Sequence, residues 1–184
     1  MNPSYPVKKA LVIIDMQNGL YFAEPAAYMK EHVLKNINFL IREFRRRNEP
    51  VIFVQHTGPK DSPIEQGKAA WQLVSEMESN PATDLIFSKF KASIFTETPL
   101  LEWLTHHGIT DLCIAGMKTQ YCVDTACRAA SGFGFNVVLA SDAHTCMDTP
   151  ALTAQQIINH HNMTLSGPFA RVKSTAEIVG TDIA

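Results

Sequence analysis

The chain has 184 residues, 46% of them hydrophobic and 18% charged, and a formal net charge of -2. That balance suits a single domain over residues 1–184 with a sizeable core and excludes a disordered or fibrous chain; the near-neutral charge gives no broad attraction for nucleic acid or anionic lipid. Residues 1–9 hold no apolar signal core and no stretch reaches the ~18 apolar residues of a membrane span, so a cytoplasmic location is expected.

Lys9 to Asp15 reads KALVIID, an apolar, β-branched run ending on a carboxylate, as a buried parallel strand does. Residues 28–47 place Val33, Leu34, Ile37, Leu40, Ile41 and Phe44 at helical spacing, and the closing Arg45, Arg46 and Arg47 suit the negative end of the helix dipole. Pro50 introduces a second strand at Val51 to Gln55. A long loop from His56 to Gly67, rich in glycine, proline and charge, follows.

Asp84 to Phe87 reads as a third strand with Lys89 just beyond it, and Thr98 to His106 as a helix stopped by Gly108. The alternation continues with a strand at Leu112 to Ala115, a helix at Cys122 to Ser131, a strand at Val137 to Ala140, a helix at Ala151 to His160 and a last short strand at Phe169 to Val172. Strands and helices alternating at these lengths predict an α/β fold, a mostly parallel sheet with helices on both faces.

Ligands of such sheets bind beyond the C-terminal strand ends, where Asp15, Lys89 and Cys122 fall. Cys122 is expected at the start of a helix, whose free N–H groups and positive dipole end favour a thiolate and an oxyanion. A carboxylate beside a lysine can accept the thiol proton while the ammonium steadies the sulfur. Taken singly, the same residues read as a cap, a solvated lysine and a core thiol. The remaining cysteines, Cys113, Cys127 and Cys146, show no disulfide spacing, so reduced, packed thiols are expected.

Three dispersed segments, ALVIIDMQNGL, SKFKASIF and GMKTQYCVDTACRAA, resemble the isochorismatase-like cysteine hydrolases, a family that includes nicotinamidases, N-carbamoylsarcosine amidases and isochorismatases. SDAHT and AQQIINHHN are similar to the family's later segments, so the likeness covers nearly the whole chain. It implies a Rossmann-like three-layer α/β/α fold with a six-stranded sheet and a triad of Asp15, Lys89 and Cys122. Lys91 is the weaker choice of lysine because it lies too near Ser93 and Phe95. The resemblance further implies a cis peptide at Met117–Lys118 and an oxyanion hole from the backbone N–H groups of Lys118 and Cys122. Lys118 itself departs from the smaller or amide residues expected there.

Nicotinamidases of this family carry a D-x-H-x-H-type metal motif after the second strand; here QHTGPKDSPIEQG retains only His56, with Asp61 a lone acidic neighbour. No catalytic metal and no other cofactor is therefore expected. His160 and His161, adjacent on a helix, point about 100° apart and suit structural or subunit contacts. Gln17, Phe22, Trp71, Gln120, Tyr121 and His144 are candidate substrate contacts. The leading expectation is hydrolysis of a small amide or ureido substrate through a thioester. Vinyl-ether hydrolysis by Asp15 and Lys89 alone, or a silent binding protein of the same fold, are the alternatives. A homo-oligomer, dimer or tetramer, is also expected.

Overall fold

The computed structural model describes residues 8–180; the two ends of the expected domain, including the start of the chain where no signal core was read, lie outside the described residues. The strands are β1 (Lys9–Ile14), β2 (Val51–His56), β3 (Leu85–Lys89), β4 (Asp111–Met117), β5 (Asn136–Thr145) and β6 (Arg171–Lys173). They form one six-stranded sheet in the order β3-β2-β1-β4-β5-β6, and every pairing is parallel. The helices are α1 (Asn18–Tyr21), α2 (Lys30–Arg46), α3 (Leu100–His106), α4 (Asp124–Gly132), α5 (Ala154–Leu165) and α6 (Thr175–Val179). None of the described helices is long and apolar enough to cross a membrane.

β1 lies inside the sheet and is apolar on both faces, which is why its sequence is continuous rather than alternating. Leu11 and Ile13 join the core under α2, with Ile37, Leu40, Ile41 and Phe44. Ala10, Val12 and Ile14 join the core under α3 and α4, with Leu100, Leu104, Ala126 and Cys127. Each large side chain buried this way contributes ~1.5–3 kcal/mol relative to leaving it in water, so the α2 stripe alone holds that layer in place.

The strand order reverses between β1 and β4, so their C-terminal ends open a crevice. Gly116 keeps that region close-packed. Its φ is +120°, and a Cβ there would collide with the backbone of Ile14 on the neighbouring strand.

Several boundaries differ from the sequence expectation. β3 runs on to Lys89, so the lysine is the strand's last residue rather than one beyond it. β5 continues through a register shift to Thr145 and takes His144 into the sheet. α5 begins later, at Ala154, because Thr153 and Gln156 form a reciprocal capping box. A similar box at Ser174 and Glu177 starts α6, which strand-and-helix periodicity had not marked.

Candidate active site

Asp15 follows β1 with φ +51°, a left-handed conformation that a short polar residue tolerates better than most. Its amide still donates to the Val54 carbonyl at 2.9 Å, so the turn is anchored to the sheet. The carboxylate is buried, as is the whole Lys89 side chain. Lys89 Nζ donates to Asp15 Oδ2 at 2.9 Å and to the Lys91 carbonyl at 3.2 Å, and lies 3.2 Å from both His56 Nδ1 and Cys122 Sγ. Lys91 offers this cluster only its carbonyl, and its side chain is exposed.

Cys122 is not at the start of α4. A π-helical turn over Thr119–Val123 precedes that helix, and the thiol sits within the turn. The Lys118 carbonyl accepts from Tyr121 N and Val123 N, the two amides flanking that of Cys122. The Met117–Lys118 peptide is cis.

Electrostatics define the resting proton positions. Burial pushes the Cys122 thiol up to about 12, with the Asp15 charge adding to it and Lys89 opposing. The sulfur therefore rests as a thiol that still needs a proton acceptor, because a site this dry penalises a bare sulfur anion more than one ammonium repays. Burial also raises the Asp15 carboxyl, against the pull of Lys89, and so increases its proton affinity. His56 is lowered by burial and by Lys89. Of the two Asp15 oxygens, Oδ2 serves Lys89, while Oδ1 is buried with no hydrogen-bond partner among the described residues; the Cys122 thiol interacts with the same carboxylate.

A cavity of about 190 Å³ opens onto this cluster, lined by Asp15, Gln17, Leu20, His56, Ile64, Lys118, Tyr121 and Cys122. Sequence reasoning anticipated Asp15, Gln17, Lys118, Tyr121 and Cys122 there. It placed His56 only as the remnant of a metal motif and passed over Leu20 and Ile64, which reach the cavity from a short helix and an irregular loop with no pattern to mark them.

The other candidates are elsewhere. Phe22 is on the surface, edge-on to Tyr21 and near the Lys30 ammonium. Trp71 stands behind the cavity: its carbonyl accepts from Gln17 Nε2 at 2.7 Å, and its indole donates to Thr57. Gln120 neighbours the thiol in sequence but does not line the cavity. His144 is buried in the sheet, with Nδ1 2.9 Å from Thr119 Oγ1 and Nε2 2.9 Å from Asn162 Oδ1. Gln17 lines the cavity but spends its amide internally, donating to the His56 and Trp71 carbonyls and accepting from the His56 amide. It ties the ends of β1 and β2 together.

A metal does not suit this donor set. Asp15, His56 and Cys122 bring ligand atoms within 4.8 Å of one another, the one such group among the described residues, but the Lys89 ammonium is in hydrogen-bond contact with all three. A divalent cation among them would sit against that charge. Asp61 is exposed on its loop and does not join the group.

A family model described as isochorismatase domain matches residues 9–177. The chain belongs to the isochorismatase family of hydrolases. Among its relatives is an uncharacterized isochorismatase family protein, YrdC, of Bacillus subtilis, 29% identical over 94% of this chain and 95% of that protein. Streptothricin hydrolase of Streptomyces noursei is 29% identical over 78% of this chain, which spans only 56% of that longer protein. A crystal structure of an isochorismatase family protein superposes with a TM-score of 0.84 at 34% identity, covering 90% of this chain and 98% of the other. Within this isochorismatase-family fold, the Cys122 thiol lies beyond the C-terminal end of β4, on the cavity.

Proposed function

We propose that the protein hydrolyses a C–N bond of a small amide or ureido substrate through a thioester on Cys122, with Asp15 and Lys89 completing the triad. The observation that carries this reading is the contact of one buried ammonium with both the carboxylate and the sulfur, at 2.9 and 3.2 Å, while the second carboxylate oxygen is buried without a hydrogen-bond partner among the described residues.

Chemistry follows from those positions. The substrate carbonyl enters the cavity beside Cys122, and Asp15 Oδ1 takes the thiol proton as Sγ bonds to the carbonyl carbon. Desolvation raises the carboxyl's proton affinity and so favours this transfer. Lys89 then faces a developing thiolate and offsets its charge. The backbone N–H groups of Lys118 and Cys122 donate to the oxyanion, as the family resemblance implies. Collapse expels the amine, which takes the proton from Asp15, and leaves a thioester. Water adds to that thioester with Asp15 again accepting a proton; the C–S bond breaks, the thiol is reprotonated and a carboxylic acid leaves.

A cavity of about 190 Å³ is below the ~300–1,000 Å³ usual for drug-sized ligands, which favours a small substrate. The decisive experiment screens small amides and ureido compounds with the intact protein, Cys122→Ala and Cys122→Ser. Turnover is expected only with the intact thiol, accompanied by a transient mass increase on the Cys122 peptide equal to the acyl group. Undiminished turnover by Cys122→Ala would refute the reading.

A further inference from the structure

Past the reacting cluster, the cavity offers a substrate hydrocarbon rather than polar partners. Gln17 spends its side-chain amide on the His56 and Trp71 backbone. Lys89 is buried and has three hydrogens for four neighbours, Asp15 Oδ2, the Lys91 carbonyl, His56 Nδ1 and Cys122 Sγ, so none is left over. His56, held below its ordinary value by burial and by Lys89, brings no positive charge at neutral pH. Lys118 lines the cavity, but its charge acts on Cys146, opposed there by Asp148, and not on Asp15, His56 or Cys122. A carboxylate on the substrate would find no spare ammonium at the reacting cluster.

Leu20 and Ile64 supply the apolar wall. Ile64 comes from the irregular loop after β2, yet it is firmly placed. Its carbonyl accepts from the Gly58 amide at 2.9 Å, and turns from Pro59 to Ser62 and from Ser62 to Glu65 brace the segment. Its two side-chain branches press on two glycines: a Cβ at Gly58 would stand 2.8 Å from Ile64 Cγ1, and one at Gly19 would stand 3.0 Å from Cγ2. A side chain at either position would displace the isoleucine or its loop. Although half-buried, Ile64 joins none of the core clusters among the described residues, and its remaining apolar surface is turned to the cavity.

We infer that the substrate is an uncharged primary amide with a short aliphatic acyl group, and that Ile64 sets the length of that group. An apolar cavity of ~150 Å³ accepts a benzene-sized ligand, so about 190 Å³ suits an acyl chain of about six carbons. Hydrolysis of such an amide takes up one water and releases a short fatty acid and ammonia. The identity of the reacting bond rests on the amide-hydrolase reading, whereas the apolar wall is tested apart from it.

4-Methylpentanamide, succinamide and succinamate share one heavy-atom skeleton and differ only at the end remote from the reacting amide. The intact protein is expected to hydrolyse the first with kcat/KM on the order of 10- to 100-fold above the other two, the range for burying a polar group without a partner. Across straight-chain amides from acetamide to decanamide, kcat/KM should peak near about six carbons. Ile64→Ala should move that peak about two to three carbons longer, and Ile64→Val, the gentler variant if the alanine protein does not fold, about one. A readout without turnover uses two methyl ketones of the same skeleton, 5-methylhexan-2-one and 4-oxopentanoate, which have no C–N bond to break. Titration by ligand-observed NMR should show the uncharged ketone bound on the order of 10-fold more tightly than the keto acid, and less tightly in Ile64→Ala. Succinamate used as well as 4-methylpentanamide, a ketone that fails to bind or binds no better than the keto acid, or an unmoved length optimum in both Ile64 variants overturns the inference. Absence of amide turnover, with the ketone still preferred and still dependent on Ile64, sinks the amide reading and leaves the apolar wall standing.

Discussion

Two clusters in this molecule use the same kinds of residue and differ in what they leave undone. Around Asp15, Lys89, His56 and Cys122, a cavity adjoins polar groups whose bonding is incomplete: one Asp15 carboxylate oxygen is buried without a hydrogen-bond partner among the described residues. Around His144, His161 and Asp124, every contact closes. His144 lies between Thr119 and Asn162, and Asp124 accepts from Arg128 through two nitrogens and faces His161 Nδ1 at 3.0 Å. A histidine, an aspartate and a helix start are therefore not a site by composition. Unused bonding capacity at a cavity separates chemistry from architecture.

The largest expected effect lies in the first cluster. Asp15→Asn removes the proton acceptor but keeps the shape, and should lower kcat by about 10²–10⁴, the range for a positioned general base. Lys89→Met should add a cost in stability, because it strands the Asp15 carboxylate in a dry interior: about 3–5 kcal/mol, read as an earlier urea midpoint. Combining the two substitutions removes both charges and should recover part of that loss. A double variant as unstable as the sum of its parents would mean that the pair is not coupled and that the first cluster has been misread.

His144 supplies a test of the closed cluster that depends on pH. Burial lowers it from 6.5 to about 4, so between those values the unfolded chain holds a proton that the folded chain excludes. Its contribution to stability is complete above pH 6.5 and is lost as the pH falls toward about 4, ~3 kcal/mol in all. Urea melts from pH 7.5 to 4.5 should show that decline in the intact protein and a shallower one in His144→Gln. Identical slopes would place His144 in contact with water.

The sequence revealed more of the first cluster than of the second. Asp15 and Cys122 stand where apolar strands give way to polar turns, a change of pattern that local periodicity reports, and the parallel sheet follows from the alternation itself. The Lys89–His56 contact was not legible, because it joins the ends of two strands separated by the irregular loop through which Ile64 also reaches the cavity. Nor was the commitment of the Gln17 amide to three backbone atoms, or the closure of His144 by Asn162 from α5. Pattern reports which face a residue takes; whether its bonding is already complete depends on partners brought in by the fold.

The smallest effect gives the sharpest test of that distinction. His161 belongs to the adjacent histidine pair that invites a metal or catalytic reading, yet the two rings stand at 86° and Nδ1 faces Asp124. Burial pushes the Asp124 carboxyl up, and the bonds and charges of Arg128 and His161 together outweigh it, so it sits below its ordinary value. Asp124 lies two residues after the nucleophile, so a disturbance there could reach Cys122 through the π-helical turn. His161→Gln removes one contact but leaves the two Arg128 bonds, and should cost about 0.2–1 kcal/mol, as partly exposed pairs do, with kcat unchanged within about twofold. A tenfold fall in kcat, with the melting temperature barely moved, would show the closed cluster positioning the nucleophile and erase the line between the two regions.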